Sequence, residues 1–468
     1  MHTTMMEAVV EKKLNDPEIK AAIQALRQTD NYRNWWYLGC TYLFLTLVIG
    51  GAVLFYDWQA RAGISFWWNL PVSFCAIILV GAGQHQLSGL AHEGVHHILF
   101  RNRLLNDLAS DLLTMFPLFS STYHYRLQHL AHHQFVNDPE RDPDISQLKS
   151  SGHWLNFPIS KSEFFRVLRK QMWFPRLIRY MRVRATYNAT GTDKNPYLMK
   201  ERPPSKVAVR IGLAYLIGLF GALFGLFYKA EPQFLILVPT GMWVGISLIF
   251  LFLPTAQFHR SRIHPVIPLR WMTILRLAYF TYLFASLTYI TRTTDQPAII
   301  FYFILWIVPI FSSFSFFMIL RQIVQHGNGD RGWLTNTRSF FVAPFFRYAI
   351  FPMGQHLHLP HHMYATVPHY RLGKLHQLLM TVPEYRQNAV VVEGYFVPPQ
   401  TPQTSPTVVE VLGPEIAARH SANIHIDNTV MDGDQFENRL EMLEETQKLC
   451  SMNNHYHSEK PSRDESGG

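Results

Sequence analysis

The chain has 468 residues, enough for a large core or several domains. Apolar residues make up 48% and charged ones only 16%, with 42 Lys and Arg against 33 Asp and Glu for a net charge of +9; this argues against an ordinary soluble domain, and a basic excess beside long apolar runs favours an anionic lipid surface over nucleic acid. The three cysteines, Cys40, Cys75 and Cys450, exclude a disulfide framework and a thiolate metal site.

From the N-terminus, residues 1–34 read as an amphipathic segment. A helix is predicted over 17–29, with Asp16 as its cap, Pro17 in its first turn and Ile19, Ile23 and Leu26 along one face. The first apolar run starts near Trp35, too late and too long for a cleavable signal peptide. Six stretches reach the length of about 20 apolar residues that a bilayer requires: roughly 35–56, 66–90, 207–228, 233–256, 271–291 and 298–322. Trp35, Trp36, Trp67, Trp68 and Trp271 stand at span ends, where indole rings favour the interface. Arg276 interrupts the fifth span and is expected to snorkel toward its near end.

Residues 104–119 place Leu105, Leu108, Leu112, Met115 and Phe119 at helical spacing. They suit either a helix lying in or dipping into the interface or a core-facing helix. The segment 101–206 carries 17 Lys and Arg, whereas the short loops opposite carry one each, Arg61, Lys229 and Arg292. The basic side should therefore be cytoplasmic, together with the N-terminus, the 257–270 turn and everything after about 323. The expected fold class is all-α: a polytopic bundle of about six transmembrane helices with a cytoplasmic cap. The expected division is 1–34, a membrane catalytic domain over 35–385, and a polar tail over 386–468. Most of 400–468 is expected to be peripheral and some of it disordered, with one charged helix near 434–449 and solvated His455 and His457.

Three histidine clusters fall on the predicted cytoplasmic side: His92-Glu-Gly-Val-His96-His97, His129-Leu-Ala-His132-His133 and His358-Leu-Pro-His361-His362. Spacings of three and four place imidazoles on one helical face. One such cluster is a weak signal; three on one membrane face point to metal, since neutral imidazole binds iron, zinc and copper and buried imidazoles without partners are costly. His326 adds a ninth candidate, while His97 projects about 100° from His96 and is left out. His85 reads as a core histidine, and His124, His356, His369 and His376 as neighbours of the site. His259 and His264 read as surface residues. Glu93, Asp138, Glu140, Asp142 and Asp144 are candidates to orient the imidazoles.

These boxes resemble the membrane fatty acid desaturase superfamily, with its related hydroxylases and alkane monooxygenases. The resemblance spans about 85–380 and includes the stretch from His358 through Pro368, Tyr370 and Leu372. It implies that His92, His96, His129, His132, His133, His326, His358, His361 and His362 hold two iron ions. It also implies an O2-dependent enzyme that acts on a lipid or fatty acyl chain. Electrons would come from a separate ferredoxin, rubredoxin or cytochrome b5 type carrier. Six spans are similar to the alkane hydroxylase branch, so hydroxylation of an alkyl or carotenoid substrate stands as an alternative. A membrane zinc metalloprotease is a further one, because His92-Glu93-x-x-His96 also fits that motif. A metal transporter fits less well, since such sites belong near the bilayer midplane.

Overall fold

The structure, a computed structural model, describes residues 12–190, 195–199, 205–259, 261–294, 296–414 and 416. The expected helix near 434–449, Cys450, His455 and His457 lie outside the described residues. The described residues are mostly helical. Before the first span, α1 (Pro17–Leu26) buries Ile19 and Ile23, as its spacing predicts. Among the described residues, six helices are long and apolar enough to cross a membrane. These are α2 (Arg33–Arg61), α3 (Asn69–Val95), α9 (Val207–Lys229), α10 (Phe234–Phe252), α11 (Leu269–Thr293) and α12 (Ala298–His326). Between α3 and α9 lie α4 (Arg103–Ser110), α5 (Thr122–Gln134), α6 (Pro143–Ser151), α7 (Lys161–Gln171) and α8 (Phe174–Thr190).

The spans expose apolar side chains that a soluble protein would hide. Trp36, Leu54, Trp67 and Phe252 are each more than half exposed, which makes these faces lipid-facing. Contacts between spans depend on small residues. A Cβ at Gly81 on α3 would overlap Ser313 on α12, and one at Gly83 would press on Leu45 of α2. α12 contains Pro309, which lacks an N–H and cannot continue the ordinary helical ladder. Around it the helix loosens into π-type turns at Phe303–Ile307 and Ile310–Phe314.

Two sequence expectations are corrected here. Arg276 does not reach outward to the interface. It turns inward and lines a cavity with Asp107 and Asp111. The described part of 400–468 is not peripheral either: next to strand β2 (Val390–Glu393), which pairs in parallel with β1 (Arg338–Phe341), Val408, Val409, Val411 and Leu412 are buried in the main core cluster. Their apolar side chains sit in a short run that composition averaged over the whole tail conceals.

The segment after α3 resolves the other ambiguity. In α4 and the π-type turn Asp111–Met115, the polar side faces inward: Asn106, Asp107, Ser110 and Asp111 are buried. Leu104 is 53% exposed and Leu105, Leu108 and Leu112 are only partly covered. This is the amphipathic pattern inverted, as suits a helix whose outer face meets lipid. A core-facing helix would bury the leucines.

Candidate metal centre

The three histidine clusters meet where α3 and α12 end. α3 supplies His92, and its C-cap is His96. The cap helix α5, started by Ser121 accepting a bond from the His124 N–H, supplies His129, His132 and His133. The last residue of α12 is His326, and the short helix His358–Met363 supplies the late cluster. The rings sort into two sets that cut across the sequence clusters. His92, His96, His129, His133 and His361 form one; His132, His326, His358 and His362 form the other. In each set the ligand-capable atoms lie within 4.8 Å of one another. The sets touch where the His133 and His362 rings stack at 4.1 Å.

The spacing of the nitrogens tests whether a metal fits. Nε2 of His129 lies 3.0 Å from Nε2 of His96 and of His133, and His361 Nε2 lies 3.1 Å from that of His133. In the second set, His358 Nε2 is 3.0 Å from His326 Nε2 and 3.1 Å from His362 Nε2. Around a metal with N bonds of about 2.1 Å, adjacent octahedral donors stand about 3.0 Å apart, whereas tetrahedral ones stand about 3.4 Å apart. His92 adds a second observation: it is 2% exposed, and neither ring nitrogen has a hydrogen-bond partner among the described residues. Orphaned buried nitrogens are expensive unless a cation takes them. Burial also holds His96, His129, His133, His358 and His362 well below the ordinary imidazole pKa, and His361 at about 3. The rings are thus neutral, the form that ligates metal.

Several neighbours fix ring orientation. His132 Nδ1 donates to the Asp142 carboxylate, 2.9 and 3.1 Å from its two oxygens, which leaves Nε2 for the second set. Burial opposes protonation of His132, but Asp142, helped by Asp144, outweighs it and lifts the pKa to about 9. Asp142 is itself held in place: it is the N-cap of α6, accepting from the Asp144 N–H, and it also accepts from the Asn137 N–H. His326 Nδ1 donates to the Asn336 carbonyl at 3.2 Å, and Asn137 Nδ2 donates to the same carbonyl at 2.8 Å. Of the other predicted acids, Asp138 pairs with Arg141 and Arg331, and Glu140 is exposed.

Glu93 has a structural task. Its Oε2 accepts the His369 N–H at 2.8 Å, and its Oε1 is 3.9 Å from His92 Nδ1. His369 Nε2 donates to Asn34 at 2.9 Å, and Asn34 Nδ2 donates to the Leu99 carbonyl. A protease would need this glutamate beside a metal-bound water. Here it ties the segment after the late cluster to α3 and α2, and the other two clusters are engaged rather than idle. The metalloprotease reading is set aside on this geometry.

The remaining histidines sort cleanly. His85 Nδ1 donates to the Ala349 carbonyl at 2.7 Å, as a core residue should. His97 stays out of both sets, 3.6 Å from Asp107. His124 meets Ser121 and His376 meets Tyr385, while the backbone carbonyl of His356 accepts the Phe340 N–H. His264 is exposed as expected. His259, expected at the surface, instead packs its ring 5.1 Å from that of His124, and burial lowers its pKa to about 4.

One residue that carries no metal was invisible as a site residue. Arg126, wholly buried within α5, donates to the carbonyls of Gly94 and Val95 and makes a two-pronged pair with Asp107. It pins the second cluster to the end of the first. Its place between two histidine clusters was the only hint in the sequence. Beside the centre lies a cavity of about 460 Å³ whose wall includes Ser88 and Tyr125, one helical turn before His92 and His129. Phe119 and Phe311 also line an apolar chamber of about 690 Å³ between α9, α11 and α12.

Six helices able to cross a membrane, with two polyhistidine sites able to hold metal where two of them end, mark an integral membrane protein with a candidate metal centre. The chain belongs to the fatty acid desaturase family, whose profile matches residues 65–289 and 235–393. It is 24% identical over 355 residues to the dihydrorhizobitoxine desaturase of Bradyrhizobium elkanii, covering 74% of this chain and 77% of that protein. It is also 33% identical over 110 residues to the Delta(5) fatty acid desaturase fat-4 of Caenorhabditis elegans, covering 24% and 23% of the two chains.

Proposed function

We propose that the chain is a di-iron desaturase that introduces a double bond into the acyl chain of a lipid, using O2 and two electrons from an external carrier. The observation that carries this reading is the sorting of nine imidazoles, eight buried and His326 half-buried, into two adjacent sets whose close nitrogen pairs have octahedral spacing. His92, His96, His129, His133 and His361 would hold one ion, and His132, His326, His358 and His362 the other. Five imidazoles exceed what a tetrahedral zinc site takes, and all-nitrogen donors at this spacing suit iron. Bound there, iron would supply the O2-activating power needed to remove hydrogen from an unactivated C–H bond. Two substrate hydrogens, two electrons and two protons together reduce O2 to two waters, leaving the alkene.

The protein's own groups position and exclude. Asp142 and the Asn336 carbonyl hold His132 and His326 in one tautomer, and Glu93 with His369 closes the cap over α3. The acyl chain would lie in the cavity beside Tyr125 and extend into the apolar chamber. Lysine and arginine concentrate in 101–206, which supports a cytoplasmic cap. Exposed Lys161, Arg169, Lys170 and Arg176 on α7 and α8 give the cap a basic surface suited to an acidic ferredoxin, rubredoxin or cytochrome b5 type carrier. Both relatives are named for desaturation, which favours that outcome over hydroxylation.

Two measurements test the reading together. The purified protein should contain two irons per chain, and lipids of a host carrying the gene should show a new double bond that depends on O2. One zinc per chain, or a new hydroxyl in place of the alkene, would overturn it.

A further inference from the structure

The cavity beside the metal centre carries charge that the oxidation chemistry does not use. Its described lining includes three cations, Arg182, Arg184 and Arg276, and no carboxylate. Arg184 stands 5.5 Å from the centre of the Tyr125 ring, and that ring is 5.4 Å from the ring of His129. Arg276 lies on membrane helix α11, where an ionised side chain is costly and usually marks a function. Among the described residues it has Asp111 as an electrostatic neighbour but no hydrogen-bond partner. Asp111 is already engaged, accepting the Thr122 N–H at 2.6 Å. Ser120 and Asn188, bonded to each other at 3.0 Å, add polar groups to the same wall. The facing wall is apolar, with Leu118, Ile310 and Phe314, and Phe119 and Phe311 separate it from the apolar chamber that they also line.

A pocket lined by three arginines and no carboxylate, sharing the Phe119 and Phe311 wall with a greasy chamber, matches one kind of molecule. We propose that this cavity binds an amphiphile by its anionic head, a carboxylate or phosphate held by Arg276 and Arg184, with its tail in the chamber behind Phe119 and Phe311. The inference rests on the acyl-chain desaturase reading for its choice of tail, and it names the head that reading leaves open. A chain anchored this way passes Ser88 and Tyr125, next to the histidine sets, so Arg276 acts as a positioning residue. Arginine suits the task because its planar fork meets two oxygens of an oxyanion at once.

The test uses the full-length iron-loaded protein in neutral detergent, with stearate, stearyl phosphate and stearyl alcohol competing against a fluorescent octadecanoid probe. At least one anion should compete about tenfold better than the alcohol. Preference for stearate assigns a free acid, and preference for the phosphate assigns a phospholipid-type head. Arg276→Gln should abolish the preference and Arg276→Lys should restore part of it. Should the first variant fail to fold, Asp111→Asn with Arg276→Gln removes both charges and reads the same loss. Equal competition by the alcohol, or a preference that survives loss of Arg276, overturns the proposal. Iron content and O2-dependent product are measured on the same preparation. Anion preference without iron or product sinks the desaturase reading alone, whereas iron and product without anion preference sink the head-group site alone.

Discussion

His133 and His361 are separated by 228 positions in the chain, yet their Nε2 atoms face each other at 3.1 Å. One ring could donate to the other in the right tautomer, but this set crowds five ligand-capable nitrogens within 4.8 Å, more than paired hydrogen bonds can satisfy, so the contact makes sense as two ligands sharing one ion. His361→Ala is accordingly expected to cut turnover on the order of 100-fold or more and to lower iron in the set it belongs to. Metal analysis of the purified variant checks this. Wild-type iron and wild-type turnover in that variant would refute the shared-ion reading.

Asp142→Asn keeps a group of the same shape beside His132 but removes the negative charge and, in one orientation, the acceptor. Loss of such an outer partner costs about 10- to 100-fold in metal affinity or activity. Because His132 belongs to the second set alone, the variant should lose the iron of that set before the other. Titration with a chelator, followed by iron counting, should show a step near one iron per chain that the parent protein lacks.

Arg126 and Asp107 form a buried pair, and Asp107 is held below the usual carboxylate range because Arg126 outweighs the cost of burial. Stability from a depressed carboxylate is present above its unfolded pKa, about 3.9, and is lost only as the pH falls through the lower folded value. The wild-type pair should therefore hold down to about pH 4. Arg126→Ala leaves Asp107 buried without its partner and should cost about 3–5 kcal/mol at neutral pH. In that variant the sign reverses: burial raises Asp107, so its penalty shrinks as the pH falls. Thermal unfolding in detergent at pH 7.5 and 5 should show the smaller deficit at pH 5, and an equal deficit at both would count against the pair.

Gly81→Leu forces a side chain into Ser313 where α3 and α12 touch. Overpacking of this kind costs about 1–3 kcal/mol. The expected outcome is lower yield of folded protein and a lower unfolding temperature. Gly218 on α9, which faces open space apart from Met242 at 4.0 Å, should tolerate leucine. Similar unfolding temperatures for the two variants would show that the α3–α12 contact is not close.

Removal of iron by a chelator should lower the unfolding temperature by at least about 5 °C, since an ion bound only by the folded state stabilises it by mass action. Calorimetry before and after reloading with ferrous iron measures the effect. No change would mean that the nine imidazoles do not hold a metal.

Much of this molecule was legible from one strand of letters because its two dominant signals are local. Apolar length marks a span, and spacings of three and four mark a helical face, so six helices and the histidine clusters could be read directly. What escaped depends on contacts between distant segments. The sorting of rings into sets that mix all three clusters cannot follow from spacing. Nor can the link from Asn34 through His369 to Glu93, which joins residues more than 270 positions apart. Arg276 was misread because a charge near a span end has two homes, the interface or an internal cavity, and only Asp107 and Asp111 across the gap decide between them. Val408, Val409, Val411 and Leu412 were missed because their run is short and its partners lie far upstream.

Each ion position draws on segments from opposite ends of the catalytic region: His361 completes the set begun by His92, and His358 and His362 complete the one that contains His132. Neither set can close while the ribosome is still making residues before 358. Metal uptake at these sites would therefore be a late event in biogenesis, after the last span has been made, and only a chain extended past His362 could hold both ions.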